Sequence, residues 1–356
     1  MINNEKHCLQ ILELMIEDSK SALEVYSQTE FWKAAGPLII KEIKEKGLKN
    51  FRSHRTANGF YVPLYKKSYV KDNQRKINKV KFILKNIAYK NIGANGDYNN
   101  FLEGYYDAFA DYRVLCSVKN DSPPYLNKIS ESNYGDPPEH FIFEGKNYSK
   151  SFLNYLLGLA FVKKISDLSN VSKIVEIGGG YGTLGEIFLK LYNNVLYVDI
   201  DLPPLSAVAT YYLSEVFGKD IILSYDKTRD LETININEIS KKYKVIILCP
   251  WQLPKLIGDF DLFANFISFQ EMEPEIVNNY INQISRLNPK HIILRNLREG
   301  KEQKGQNIVF GVVKPMMLDE MITAFKNYKL IAKDVLSFGE IKIDNFHSEL
   351  AYLTRK

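Results

Sequence analysis

Apolar residues in the first third of the chain recur at the spacing of one helix face. Leu9, Leu12, Met15, Ile16, Leu23 and Tyr26 do so between residues 8 and 27, and similar patterns recur over 38–46 and 101–116, which predicts a mainly helical N-terminal region. Residues 59–63 (Gly-Phe-Tyr-Val-Pro) read as a short extended piece. Residues 120–138, with Ser122-Pro123-Pro124 and Gly135-Asp136-Pro137-Pro138, read as loop or linker. From Lys173 the texture changes to short runs of Ile, Val and Leu separated by helical segments, the pattern of a parallel sheet covered on both faces. The runs at 174–177, 195–200, 245–249, 262–267, 291–294, 330–336 and 351–354 predict a seven-stranded, doubly wound α/β domain of Rossmann-like type. Residues 220–225 are an additional or substitute third strand, and 148–165 form the helix leading into the first strand.

The division expected is therefore a helical N-terminal cap over residues 1–145, serving substrate recognition, and a Rossmann-like domain over 146–356. A chain of 356 residues, 45% hydrophobic and 25% charged, can bury a full core of about two domains and is neither disordered nor fibrous. Its longest apolar segment, near 152–162, is broken by Asn154 and is far short of the roughly 20 residues that span a bilayer. Residues 1–7 carry Asn, Glu and Lys rather than an apolar leader. Cys8, Cys116 and Cys249 are odd in number and widely spaced, which indicates neither a disulfide framework nor a structural zinc site. A soluble, cytoplasmic protein is the expectation, with monomer and homo-oligomer both left open.

Charge adds an asymmetry. Residues 33–90 hold 16 Lys or Arg against Glu42, Glu45 and Asp72, a local balance of +13, which leaves −8 for the rest of a chain whose net charge is +5. Such a block attracts anionic partners such as nucleic acid, nucleotide sugars, acidic glycans or a membrane surface, or it is a solvated lysine-rich face. Phe51, Phe60, Tyr61, Tyr65 and Tyr69 interleave it, without an accompanying RNA-binding signature.

The sharpest local signal is Ile174-Val175-Glu176-Ile177-Gly178-Gly179-Gly180-Tyr181-Gly182-Thr183-Leu184-Gly185, an apolar strand running through glycines into a helix. Glycines there permit positive φ and close approach of a ligand, and the helix offers N–H groups at the positive end of its dipole. Gly180 to Gly185 satisfy the dinucleotide fingerprint G-x-G-x-x-G. Glu176, Gly178, Gly180 and Gly182 together read Glu-x-Gly-x-Gly-x-Gly, which resembles the first motif of class I S-adenosylmethionine-dependent methyltransferases. In that family the glycines pack against the methionine part of S-adenosylmethionine, the acid helps organise its polar end, and an acid ending the next strand accepts both ribose hydroxyls. Here that strand ends Tyr197-Val198-Asp199-Ile200-Asp201-Leu202-Pro203. Asp199 suits the generic pattern. Asp201, 25 residues after Glu176, resembles the Asp-Leu-Pro of small-molecule O-methyltransferases and is favoured, and whichever acid is not the ribose ligand caps the following helix. Trp251 and Gln252, after a strand, are candidates for the adenine, with Tyr225-Asp226 as the alternative. Tyr148 and Ser149 are candidates to close over the cofactor from the helical half, and core packing is the other reading of Trp251 and Tyr148.

The segment 261–274 ends a strand with Asn265, Ser268, Gln270, Glu271 and Glu273. In open α/β sheets ligands bind at the carboxyl ends of strands, so this loop should face the reacting group. Together with Ser130-Glu131-Ser132-Asn133-Tyr134-Gly135-Asp136-Pro137, the stretch 148–155, the run 291–298 and Asn345-Phe346-His347-Ser348-Glu349-Leu350, it resembles the sugar O-methyltransferases of bacterial surface-polysaccharide gene clusters. The likeness runs from about Glu30 onward and is strongest over 130–274. It implies methylation of a sugar hydroxyl in a capsule or lipopolysaccharide, or of its activated precursor. Methyl transfer to a hydroxyl needs in-line alignment and a base. Glu271 and His347 are the candidate bases, with Asn265, Ser268 and Arg295 positioning the acceptor, and an ordinary capping role is the other reading of His347. Asp261, Glu271 and Glu273 carry no specific metal signature, and no obligatory metal is expected. The rival readings are a nucleic-acid methyltransferase using the basic block, a nicotinamide-dependent oxidoreductase using Gly180 to Gly185, and a silent scaffold. No Pro-Pro-aromatic element follows the fourth strand, and Glu176 is unexplained by an oxidoreductase.

Overall fold

A computed structural model describes residues 4–65, 82, 100, 103–118, 121–306, 308–335 and 346–356. Of the basic block at 33–90, residues 66–81 and 83–90, Tyr69 among them, lie outside the described residues, as does Asn345.

Eight strands form one sheet: β1 (Lys173–Ile177), β2 (Leu196–Ile200), β3 (Ile222–Leu223), β4 (Val245–Leu248), β5 (Leu262–Phe266), β6 (His291–Leu297), β7 (Tyr328–Val335) and β8 (Ser348–Arg355). Their spatial order is β3-β4-β2-β1-β5-β6-β8-β7. The strands from β3 to β6 are mutually parallel, while β8 runs antiparallel between β6 and β7. The predicted seven strands are all present. Residues 222–223 add an eighth at the edge beside β4, so the segment 220–225 is additional rather than a substitute.

The strand side chains alternate between two cores. Ile174, Tyr197, Val245, Ile247, Ala264, Ile293 and Tyr352 face one core; Val175, Val198, Ile246, Phe263, Ile292 and Leu353 face the other. Period-two alternation with both faces apolar is why these strands read as continuous apolar runs. The first core is shared with the N-terminal helices α1 (Asn4–Ser19), α2 (Glu30–Lys46), α3 (Arg55–Phe60) and α4 (Tyr105–Cys116), and with α5 (Lys150–Lys163), α6 (Thr183–Leu191) and α7 (Pro203–Phe217). α7 lies between the sheet and α1, and its residues 203–214 are all buried. The second core is closed by α8 (Pro274–Arg286) and α9 (Leu318–Ala324).

Three expectations need correction. Gly59 and Phe60 end helix α3 instead of an extended piece, its last turn closed by the N–H of Tyr61 on Ala57 O. Tyr148 does not open a helix. It ends the second arm of a hairpin, Phe141–Phe143 with Lys146–Tyr148, whose turn uses left-handed Glu144 and Gly145. Helix α5 starts after it, with Ser149 as N-cap accepting from the N–H of Phe152. The boundary at 145 and 146 therefore falls inside that turn. Finally, Ile267 does not extend β5 but turns out of it with φ of 77°.

Candidate active site

In this sheet the connections diverge on the two sides of β1, toward β2 and toward β5, and ligands in such folds bind beyond the strand ends at that point. There, Gly178, Gly180 and Gly182 take φ of 77°, 66° and 89°, backbone that side chains other than glycine adopt only at a cost. A Cβ on Gly178 would overlap the side chain of Ser268, and one on Gly179 would sit 2.5 Å from Asp199 Oδ1. At Gly180 a Cβ would meet no protein atom within 4 Å.

The N–H groups of all four residues Gly178, Gly179, Gly180 and Gly182 are engaged within the protein. Gly178 donates to Ile200 O (2.9 Å) and Gly182 to Gly179 O (3.0 Å). Gly179 donates to Asp199 Oδ1 at 3.2 Å and Gly180 to Asp201 Oδ2 at 2.8 Å. Asp201 also accepts from Leu202 N at 2.7 Å, through its other oxygen. Asp201 lines the cavity below the turn, whereas Asp199 and Glu176 lie fully buried behind it. Glu176 accepts from Tyr155 Oη (2.8 Å) and Tyr197 Oη (2.5 Å). Among the described residues, Asp199 Oδ2 has no hydrogen-bond partner.

Burial pushes Glu176 up to about 8, against the pull of its two tyrosine hydrogen bonds. Burial likewise raises Asp201 to about 7, opposed by the N–H groups of Gly180 and Leu202. Asp199 is raised well above the ordinary carboxylate range, by burial and then by Asp201 and Glu176.

The cavity holds about 270 Å³. It is lined by the glycine turn with Ser268, Glu271 and Arg295, by Asp201 with Leu202, Pro250, Met272 and Tyr280, and, from the N-terminal region, by Trp32, Phe60 and Tyr61. The loop after β5 is shaped by the left-handed Ile267, a conformation that costs a β-branched residue on the order of 1–3 kcal/mol. Ile267 N donates to Arg295 O at 2.6 Å. Asn265 Nδ2 donates to Ile177 O (3.0 Å) and Ser268 Oγ (2.6 Å), and Ser268 Oγ to Ile177 O (2.9 Å), so β5 is stitched to the start of the glycine turn. Glu271 is 7% exposed, and its Oε1 lies 3.2 Å from Lys301 Nζ. Its carbonyl accepts from Thr29 Oγ1 at 2.9 Å, which ties α2 to this loop.

Of the predicted site residues, the structure brings Gly178, Gly180, Tyr181, Asp201, Ser268, Glu271 and Arg295 to the cavity, with Glu176, Gly182, Asp199 and Asn265 packed behind them. Others stand elsewhere. His347 Nδ1 pairs with Glu299 at 2.5 Å and does not line the cavity. Trp251 donates to Tyr225 Oη (3.0 Å) in a separate surface cleft. Gln252 binds Cys249 N and Thr228 Oγ1 in the interior. Tyr148 packs among Tyr112, Phe143 and Phe152. Asp261 sits at the opposite end of β5, accepting from Ser172 and Lys173 N–H groups and from Lys290. Among the described residues no group of three or more His, Cys, Asp or Glu is placed to hold a metal ion.

Sequence reasoning missed Trp32, Phe60, Tyr61, Tyr155 and Lys301. Only one signal was present: Ser151 and Asn154 interrupt the otherwise apolar α5, and both line the cavity.

No family model matches the chain, and no curated protein matches it. Among solved structures it is similar to the mitomycin 7-O-methyltransferase MmcR at 12% identity and a TM-score of 0.36, over 58% of each chain. It is similar to the PH0226 protein from Pyrococcus horikoshii OT3 at 13% identity and a TM-score of 0.40, over 58% of this chain and 92% of that one. It is also similar to magnesium protoporphyrin IX methyltransferase from Synechocystis PCC 6803, at 11% identity and a TM-score of 0.36 over 60% and 87% of the chains. The chain thus spans little more than half the length of the mitomycin enzyme. These are distant likenesses of shape.

Proposed function

We propose that the chain is an S-adenosylmethionine-dependent O-methyltransferase acting on a sugar hydroxyl of a bacterial surface polysaccharide or its activated precursor. The observation that carries the cofactor reading is the engagement of the glycine-turn N–H groups by carboxylates. A pyrophosphate needs such groups free. Here Gly179 and Gly180 donate to Asp199 and Asp201, and Glu176 lies buried close behind. Those two donors are thus not open to a pyrophosphate, which opposes a dinucleotide, and Asp201, the one of the three acids that meets the cavity, offers a ligand its remaining oxygen lone pairs. The antiparallel β8 between β6 and β7 also departs from the 3-2-1-4-5-6 order of dinucleotide folds.

Asp201, anchored at both oxygens, keeps lone pairs for the two ribose hydroxyls. Leu202, Pro250, Met272 and Tyr280 supply an apolar slot beside it for the adenine. The open space at Gly180 leaves room for the methionine part. Bound there, S-adenosylmethionine supplies an electrophilic methyl group on a sulfonium.

Glu271 takes the proton of the acceptor hydroxyl as it attacks, with Ser268 and Arg295 around the acceptor and Lys301 fixing the carboxylate. His347, held by Glu299 outside the cavity lining, has no part in this reading. Aromatic Trp32, Phe60 and Tyr61 line the cavity together with Ser268, Glu271 and Arg295. Such a slot suits a sugar ring, which has apolar faces and a polar rim.

The test is transfer of a labelled methyl group from S-adenosylmethionine to a panel of nucleotide sugars and glycans. Glu271→Ala is expected to lower turnover about 100-fold, in keeping with loss of a general base, while leaving S-adenosylhomocysteine affinity unchanged. Undiminished turnover would move the base elsewhere, and labelling of amine or phenol acceptors alone would overturn the sugar reading.

A further inference from the structure

Three walls of the cavity come from separate parts of the chain. The first is α3 with its exit, contributing Asn58, Phe60 and Tyr61; the second is the start of α5, contributing Ser151 and Asn154; the third is the glycine turn. All three trace back to one carboxylate. Glu131, from the loop before the hairpin, accepts from Arg52 Nη2 at 2.5 Å, from Ser149 N at 2.7 Å, from Ser149 Oγ at 2.9 Å and from Tyr181 Oη at 3.3 Å.

Each donor stands at the root of one wall. Arg52 lies just before α3, and its carbonyl accepts from Asn58 Nδ2 at 2.7 Å. Ser149 is the N-cap of α5. Tyr181 stands between Gly180 and Gly182, with the Arg52 guanidinium 5.1 Å from its ring centre. Arg52 and Glu131 are both fully buried. His140 Nε2 closes the shell of Glu131 at 3.2 Å. Burial alone would raise Glu131, but Arg52 and then His140 hold it down at about 2.

We propose that Glu131 is a positioning residue: through Arg52, Ser149 and Tyr181 it sets α3, α5 and the glycine turn in one register, and so fixes the shape of the cofactor cavity. A buried ion pair is weak as a source of stability but is well suited to specifying one arrangement. The polar groups converging here have few alternatives away from water. This inference rests on the methyltransferase reading for its ligand, but not for its geometry.

Removing Glu131 alone would strand a buried guanidinium, so the test uses two other variants. Tyr181→Phe deletes the tie to the turn, together with the contacts of that hydroxyl to Ser151 and Thr183. Arg52→Met combined with Glu131→Leu replaces the ion pair by apolar volume. Amide hydrogen exchange is followed without ligand, and S-adenosylhomocysteine affinity is measured by calorimetry. In the double variant, residues 55–61, 149–155 and 178–182 should exchange about tenfold faster, while 291–297 in the sheet keep wild-type protection. Its affinity should fall about tenfold, and that of Tyr181→Phe in the same direction, if a cavity one loosened wall away from fit loses its preorganisation. Wild-type exchange in the three segments, or loosening spread evenly through β6, would overturn the proposal. If the wild type itself takes no S-adenosylhomocysteine, the cofactor reading fails and the exchange result alone decides the role of Glu131.

Discussion

Glu176, Asp199 and Asp201 do different work although they carry the same group. Asp201 meets the cavity, Asp199 braces the turn from behind, and Glu176 is locked between two tyrosine hydroxyls. The sequence offered both aspartates for the ribose. Their placement, one at the cavity and one behind it, depends on where the turn folds back, which no local pattern encodes. The raised acids have a consequence for stability. Between the ordinary carboxylate range near 4 and their folded values of about 8 and 7, Glu176 and Asp201 hold protons that the unfolded chain has released. The folded state then binds more protons, so this contribution is complete at low pH and is lost as pH rises through 7 and 8. Glu131, held low, acts in the opposite sense, but only between about 4.5 and 2. The melting temperature of ligand-free Glu176→Gln, which cannot ionise there, should gain on the wild type as pH is raised from about 5 to 8.5. A difference independent of pH would show that Glu176 is ionised in the fold.

At the scale of the element, the glycine turn and the loop after β5 form one unit, joined through Asn265, Ser268 and Ile177. The glycines were legible because an apolar strand ran straight into them. The left-handed Ile267 was not, since a β-branched residue is the last that propensity would put there. The hairpin at 141–148 was missed for another reason: arms of three residues are too short to show a period. Two glycines separate fold from site. Gly178→Ala meets both the left-handed φ and the Ser268 side chain, whereas Gly180→Ala meets only the φ. The second should cost roughly 1–2 kcal/mol of stability, the first clearly more. Thermal melts check the order. Gly180→Ala should nevertheless weaken S-adenosylhomocysteine binding, since its Cβ occupies the open space beside the turn. Equal melting of the two variants would contradict the assigned contacts.

At the scale of the molecule, β1, β2, β4, β5, β6 and β8 were readable because strands buried on both faces leave nearly uninterrupted apolar runs, whereas β7 lies at the sheet edge with Leu330 and Ile331 exposed, and the edge strand at 222–223 was foreseen only as an option. The cover was not readable. Trp32, Phe60 and Tyr61 reach the cavity from 117 to 146 residues before Gly178 and 210 to 239 before Glu271, and the Thr29 hydroxyl on Glu271 O fastens α2 there. Helical periodicity says which face of α2 is buried but not what it is buried against. The sharing of one core by α1–α7 and the sheet makes the N-terminal helices part of the site's architecture.

The central claim is that a glycine turn with the Gly179 and Gly180 N–H groups held by Asp199 and Asp201 takes S-adenosylmethionine and refuses a dinucleotide. Calorimetric titration of the full chain with S-adenosylhomocysteine, beside NADH and NADPH under identical conditions, tests it most directly. The account predicts saturable binding of S-adenosylhomocysteine, lost in Asp201→Ala, and no heat from either nicotinamide. Binding of NADH or NADPH, or of none of the three, would contradict it.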